Sequence, residues 1–222
     1  MLKLVKDMSI KFIVDELNRF HQRISALEVE ISELKLKEQL YQENVAIISK
    51  KNLYQNIINS ISQAVNNTID PGDLTEYTVD ILNKNILRIN SAAIYFIVKD
   101  LAVLSAQRGY SEDYLENLKK IPQTKGLTWK SLEENKSIYK ADTENEENIL
   151  RLGKQMGVKS YIATPILFNY KQIGTLTINS LFSNAFGDEE VNLLNSLVNQ
   201  IAISIYNIKF NGVEDINYST IS

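Results

Sequence analysis

His21 is the only histidine in the chain and there is no cysteine, so two residue types that commonly carry catalysis or hold metal are almost missing. One imidazole cannot build a Ser-His-Asp triad or a histidine metal cluster within a globular domain. Without a thiol there is no thiolate nucleophile, disulfide, thiol-ligated metal or thioether-linked chromophore. His21, followed by Gln22-Arg23-Ile24, reads as a surface residue of a helix rather than a phosphoacceptor. Asp188-Glu189-Glu190 stands at the start of a helix, where negative charge suits the macrodipole, and reads as a solvated helix start. The acidic stretch Asp142-Thr143-Glu144-Asn145-Glu146-Glu147 lacks the fixed spacing of a calcium loop and reads as a mobile loop. No enzyme, metal or cofactor is expected. What remains is binding chemistry. Side chains alternate along a strand, so Thr175, Thr177 and Asn179 share one face while Gly174, Leu176 and Ile178 share the other. The first face offers hydroxyl and amide groups to a ligand, although threonine also simply suits a strand.

The elements that would position such a face are legible around it. Ile162 to Phe168 and Ile173 to Ile178 are rich in β-branched and aromatic residues, and Asn169-Tyr170-Lys171-Gln172 between them predicts a hairpin. Beyond Gly187, the residues Val191, Leu194, Leu197, Val198, Ile201, Ile205 and Ile208 recur at helical spacing and predict a long helix with one buried face. Upstream, the pattern predicts a helix over Leu74 to Leu87, strands over Ala92 to Val98 and Leu101 to Arg108 with a turn at Lys99-Asp100, and helices over Glu112 to Lys120 and Thr128 to Glu134. A variable helical stretch from Glu146 to Met156 completes the order. The sum is an α+β domain, an antiparallel sheet with helices on its faces.

Pro71 and Gly72 are the first proline and glycine of the chain, so the N-terminal third lacks the residues that most reliably interrupt a helix. Within it Ile13, Leu17, Phe20, Ile24, Leu27, Ile31, Leu34, Glu38, Tyr41, Val45 and Ile48 follow an unbroken four-three alternation, the a/d seam of a coiled coil. Isoleucine at a with leucine at d through the middle heptads favours two parallel strands. In a parallel dimer Arg23 would face Glu28, Glu30 would face Lys35 and Glu16 would face His21, all complementary. Such exposed pairs are worth only about 0.2–1 kcal/mol each and select register rather than supply stability. Leu17, Phe20, Ile24, Leu27, Ile31 and Leu34 are the expected dimerisation residues. After Ile48 the phase breaks and the apolar stripe resumes at Tyr54, Ile58, Ile61 and Val65. The expected organisation is a dimeric stalk over 1–52, a globular domain over 53–210 and a polar, disordered tail over 211–222.

A formal net charge of −3 argues against a broad electrostatic grip on nucleic acid. Lys3, Lys6, Asp7 and Lys11 break up any signal-peptide core, and no run approaches a membrane span. A cytoplasmic location is expected, with no membrane insertion.

From the strand ending in Arg108-Gly109-Tyr110, through Gly126-Leu127-Thr128-Trp129 and Asn135-Lys136-Ser137-Ile138-Tyr139-Lys140-Ala141-Asp142, to Thr164-Pro165-Ile166, Ile173-Gly174-Thr175-Leu176 and Phe186, the chain resembles the GAF domain family. The resemblance spans roughly residues 55 to 208 and implies a regulatory domain that binds a small molecule, dimerises through its terminal helices, and signals to a partner protein or an output domain. It also separates subtypes. Bilin-carrying and methionine-sulfoxide-reducing members need cysteine. The Asn-Lys and Asp-Glu positions of cyclic-nucleotide members are occupied here by Ser180-Leu181 and Glu190-Val191. By the same resemblance the pocket would be roofed by segments around Glu112 to Lys120 and Gly126 to Asp142, which makes Arg108, Trp129, Tyr139, Asp142 and Tyr161 candidates, with Tyr95 on the first strand and Thr177 on the wall. A helix starting near Thr128 would offer free N–H groups to a carboxylate or phosphate. The alternative is a ligand-free dimerisation and interaction scaffold.

Overall fold

Asp70 caps the helix that follows it: its Oδ1 accepts the Gly72 N–H at 2.7 Å, and Pro71 takes the first helical position, where a missing N–H costs nothing. The computed structural model describes residues 2–67, 70–123, 126–146 and 151–210, with side-chain surroundings for 11–67, 70–123, 126–146 and 152–205. The predicted tail over 211–222 lies outside the described residues. Before this cap runs α1 (Leu2–Asn66); after it come α2 (Pro71–Asn85), β1 (Ser91–Val98), β2 (Leu101–Arg108), α3 (Glu112–Leu118), β3 (Lys120–Pro122), α4 (Gly126–Glu133), β4 (Ile138–Lys140), α5 (Arg151–Gln155), β5 (Ser160–Phe168), β6 (Lys171–Ser180) and α6 (Asp188–Phe210). The chain divides into two units, 1–52 and 53–222. No helix among the described residues is long and apolar enough to cross a membrane.

In the second unit the six strands form one antiparallel sheet in the order β3-β2-β1-β6-β5-β4. The fold is α+β, an antiparallel sheet with helices on both faces. Two strands were not predicted: β3 and β4 are three residues long, too short to show a period. The β5–β6 connection is tighter than the four residues expected. Asn169 and Tyr170 both have positive φ, 48° and 63°, the backbone that matches the twist of a two-residue hairpin. Gly174 is required where β6 meets β1, because a Cβ there would come within 2.3 Å of the Tyr95 carbonyl oxygen.

The two faces of the sheet differ in chemistry. Ala92, Ile94, Phe96, Ile162, Ile166, Leu176 and Ile178 join Ile57 and Ile61 of α1, Leu74, Val79 and Leu82 of α2, and Leu194, Leu197 and Ile201 of α6 in the larger core. Here lies the bulk of the apolar burial. The other face carries a smaller core of Ala93, Tyr95, Ala102, Ile121, Trp129 and Leu132, bordered by buried Thr175, Thr177 and Asn179. The leucine–threonine split along β6 is thus the split between the faces. One irregularity matters later: Ile94 pairs with Ala106 but Tyr95 pairs with Leu104, so Ser105 is an extra residue, a β-bulge in β2.

In the first unit, Leu17, Phe20, Ile24, Leu27, Ile31 and Leu34 of α1 are between 49% and 59% exposed. A second apolar stripe, Val29, Leu36, Leu40 and Ile47, is equally exposed and lies on the opposite side of the helix at about 100° per residue.

Candidate functional site

On the smaller-core face, a cavity of about 50 Å³ sits between the sheet and its roof. Its floor is Tyr95 of β1 and Tyr161 of β5. Leu118 at the end of α3, Ile121 of β3, and Leu127 and Thr128 of α4 cover one side; Leu152, Gly153, Met156 and Val158 close the other. Among these described residues none is charged. The roof therefore draws on α3 and α4 as expected, but its remaining wall is α5 and the residues after it. That wall was missed at the sequence level. Leu152 and Met156 have the four-residue spacing of a helix face, which says that one side is covered without saying what it covers.

Three tyrosines dominate the polar character of this face. Tyr161 Oη and Thr128 Oγ1 are hydrogen-bonded at 2.9 Å. Tyr110 Oη accepts from Asn179 Nδ2 at 3.1 Å, and Asn179 Oδ1 in turn accepts from Ser91 Oγ at 2.6 Å. Tyr95 differs. Its side chain is 2% exposed, it lines the cavity, and its hydroxyl has no hydrogen-bond partner among the described residues, although no fully enclosed side-chain oxygen or nitrogen lacks one. The hydroxyl therefore opens onto the cavity. Burial pushes all three phenols above their ordinary range, Tyr95 and Tyr161 furthest. Tyr95 is raised further by neighbouring Tyr110 and Tyr161. They stay neutral hydrogen-bonding groups at any physiological pH.

The structure separates the residues that the sequence grouped as a pocket. Tyr95 and Tyr161 meet at the cavity, joined by Thr128. Trp129 is buried beside Tyr95, but its Nε1–H donates to the Ile121 carbonyl at 3.0 Å, so it holds β3 against α4 rather than facing the space. The Thr177 hydroxyl donates to the Ala93 carbonyl at 3.3 Å and belongs to the floor beneath. The remaining three lie elsewhere. Arg108 is on the opposite face, where it bonds Glu76 at 2.7 Å and Asp80 at 3.2 Å on α2. The bulge is the reason: without Ser105 as an extra residue, Arg108 would share the face of Ala102 and Leu104, but the shift gives it the face of its partner Ala92. Tyr139 pairs with Ile162, so it too points into the larger core, where its hydroxyl donates to the Phe186 carbonyl. Asp142 is exposed and accepts the Glu144 N–H at 2.9 Å.

One further expectation is corrected. Glu190 is not a solvated helix-start residue: it is 5% exposed, accepts the Gly187 N–H at 2.7 Å and receives the Tyr54 hydroxyl. The first bond caps α6, and the second ties that cap to the Leu53–Asn66 end of α1. The acidic stretch from Asp142 is anchored at its start. Thr143 bonds the Lys159 carbonyl through its N–H and the Val158 carbonyl through its hydroxyl, and Glu146 pairs with Lys140. Among the described residues, no group of three His, Asp or Glu side chains could hold a metal ion.

The strand order is 3-2-1-6-5-4, with helical segments of α1, α2 and α6 on one face and the roofed cavity over the other. The family profile of the GAF domain matches residues 68–205, more than half of the chain. The chain belongs to the GAF domain family. Solved structures similar to it include the GAF domain of a phosphoenolpyruvate-protein phosphotransferase from Coxiella burnetii, at 21% identity over 72% of this chain and 97% of that one, with a TM-score of 0.63. The corresponding domain from Acinetobacter gives 16%, 75%, 99% and 0.62. Free methionine-R-sulfoxide reductase from Neisseria meningitidis, solved with its substrate, gives 16%, 73%, 94% and 0.66. At these identities the likeness is one of fold. No curated protein matches the chain. The cavity of this GAF domain has aliphatic walls and the hydroxyls of Tyr95, Tyr161 and Thr128, and the chain has no thiol.

Proposed function

We propose that this chain is a cytoplasmic regulatory module that senses a small molecule in the cavity under α3, α4 and α5, and reports occupancy through a parallel homodimeric stalk formed by residues 1–52. The observation that supports the reading best is Tyr95, a residue 2% exposed whose hydroxyl has no protein partner and which lines the cavity. Buried polar groups are nearly always hydrogen-bonded, so a hydroxyl that the protein leaves free at the edge of a cavity is the group a ligand would bond. The reductase likeness is read as one of scaffold, since a chain without cysteine offers no thiol to such a reduction. The exposed seam of α1, with Arg23, Glu28, Glu30 and Lys35 in no ion pair among the described residues, supports a second copy as its partner.

A route for the signal is available within the second unit. Neighbouring residues of β1 face opposite sides, Tyr95 the cavity and Ile94 and Phe96 the helices. Movement of β1 on ligand binding is thus felt by α6 and by the end of α1, which Tyr54 and Glu190 hold together. A coupling of about 1–3 kcal/mol is the usual size of such a linkage.

One observation favours a second reading, a scaffold that binds no ligand: Trp129, Thr177 and Tyr110 are all engaged by the protein itself, and the cavity is small. A thermal-shift screen of metabolites on the purified dimer, followed by hydrogen exchange on any hit, separates the two. The sensor reading expects a stabilising compound and altered exchange in α1. If no compound stabilises the protein, the scaffold reading stands; if one binds without changing α1, the relay falls and binding survives.

A further inference from the structure

We infer that the ligand of this cavity is an electrically neutral, short-chain aliphatic compound with a single polar head, an amide, ketone or alcohol, whose head bonds the Tyr95 hydroxyl. The inference rests on reading the domain as a small-molecule sensor and names the class of molecule it takes.

Size sets the first limit. If one water needs about 10–15 Å³ by this measure, a cavity of about 50 Å³ holds roughly three to five water-sized groups, well short of a nucleotide or a tetrapyrrole. Charge sets the second. The described walls are Leu118, Ile121, Leu127, Leu152, Met156 and Val158, with the hydroxyls of Tyr95, Tyr161 and Thr128 as the polar groups. An ion entering this space would lose hydration and meet no opposite charge among the described lining side chains, a penalty that aliphatic contacts of this size do not offset.

The head group follows from what is unbonded. Tyr161 and Thr128 bond each other, whereas Tyr95 keeps both its donor and its acceptor capacity. Its phenol is held protonated by burial, so it offers a hydrogen to a carbonyl or hydroxyl oxygen and competes for no cation. The first turn of α4 is the feature that would favour an anion instead, and a carboxylate is therefore the comparison to make.

Methionine methyl NMR provides a local reporter, because Met156 lines the cavity and Met8 lies in the other unit. The full chain with ¹³C-methyl methionine is titrated at neutral pH with acetamide, acetate and ethylammonium, which share a two-carbon body and differ in charge. Acetamide is expected to shift the Met156 methyl with a millimolar Kd and leave Met8 unmoved, both ions binding at least about ten-fold more weakly. Tyr95→Phe, which keeps the ring and its packing, is expected to weaken acetamide about five- to ten-fold. Equal binding of either ion, an unchanged amide affinity in Tyr95→Phe, or no shift of Met156 with any of the three overturns the assignment. In the last case a hit from the metabolite screen that shifts Met156 would leave the sensor reading intact with a different ligand class, whereas the absence of any hit would remove both.

Discussion

Tyr95→Phe is expected to leave the stability of the ligand-free protein almost unchanged, unlike the deletion of a hydroxyl that the protein itself bonds. The magnitude follows from the three phenols of one sheet face. Removing the Tyr110 hydroxyl leaves the Asn179 amide, 3.1 Å away, without its acceptor and should cost about 1–3 kcal/mol. Removing the Tyr161 hydroxyl breaks one bond to a threonine at 2.9 Å, a loss of about 0.5–1.5 kcal/mol. The Tyr95 hydroxyl has no bond to the protein and faces the cavity, where water can solvate it, so its removal should change stability by less than about 0.5 kcal/mol. Urea unfolding followed by the fluorescence of Trp129, the only tryptophan, measures all three variants at one protein concentration. Phe substitution keeps each ring, so the slope of the transition should not change. If Tyr95→Phe proves destabilised by more than about 1 kcal/mol, the hydroxyl has a partner in the folded protein, and the argument that it awaits a ligand is wrong.

Ile24→Asp with Leu27→Asp should give monomers by light scattering, whereas Val29→Asp with Leu36→Asp, on the opposite side of the helix, should leave the dimer intact; the reverse outcome would move the interface to the second stripe. Glu190→Ala removes the acceptor of both the Gly187 N–H and the Tyr54 hydroxyl and should cost roughly 2–4 kcal/mol by chemical denaturation, while a cost under about 0.5 kcal/mol would class it with surface residues. Tyr95, Tyr110 and Tyr161 all have folded pKa values raised by burial. Above the unfolded tyrosine value of about 10 the native state therefore holds more protons than the unfolded one, and stability should fall as pH rises through the alkaline range. An alkaline limb that is unchanged when Tyr110 and Tyr161 are both Phe would rule this cause out.

Local signals in the sequence determined the elements that set up this fold. Asp70-Pro71-Gly72 specifies a cap through its own side chain and ring, β5 and β6 are long enough to show their composition, and the Leu176–Thr177 alternation assigns the faces because a pleat has period two. The α6 face and the α1 seam were legible for the same reason, a period repeated over several turns. β3 and β4 were not, since three residues carry no period and become strands only where β2 and β5 offer a free edge. Tertiary structure alone decided the site. Arg108 is a cavity candidate by the family resemblance, and one extra residue, Ser105, turns it to the other face; nothing local to Ser105 announces a bulge, which is created by its pairing with β1. Leu152, Met156 and Val158 line the cavity because α5 folds over β1 and β5, a long-range contact that an i, i+4 spacing cannot identify. The difference between Tyr95 and Tyr110, identical in type, is whether Asn179 lies within reach. Sequence supplied the hydroxyls; only the packing determined which of them has no protein partner.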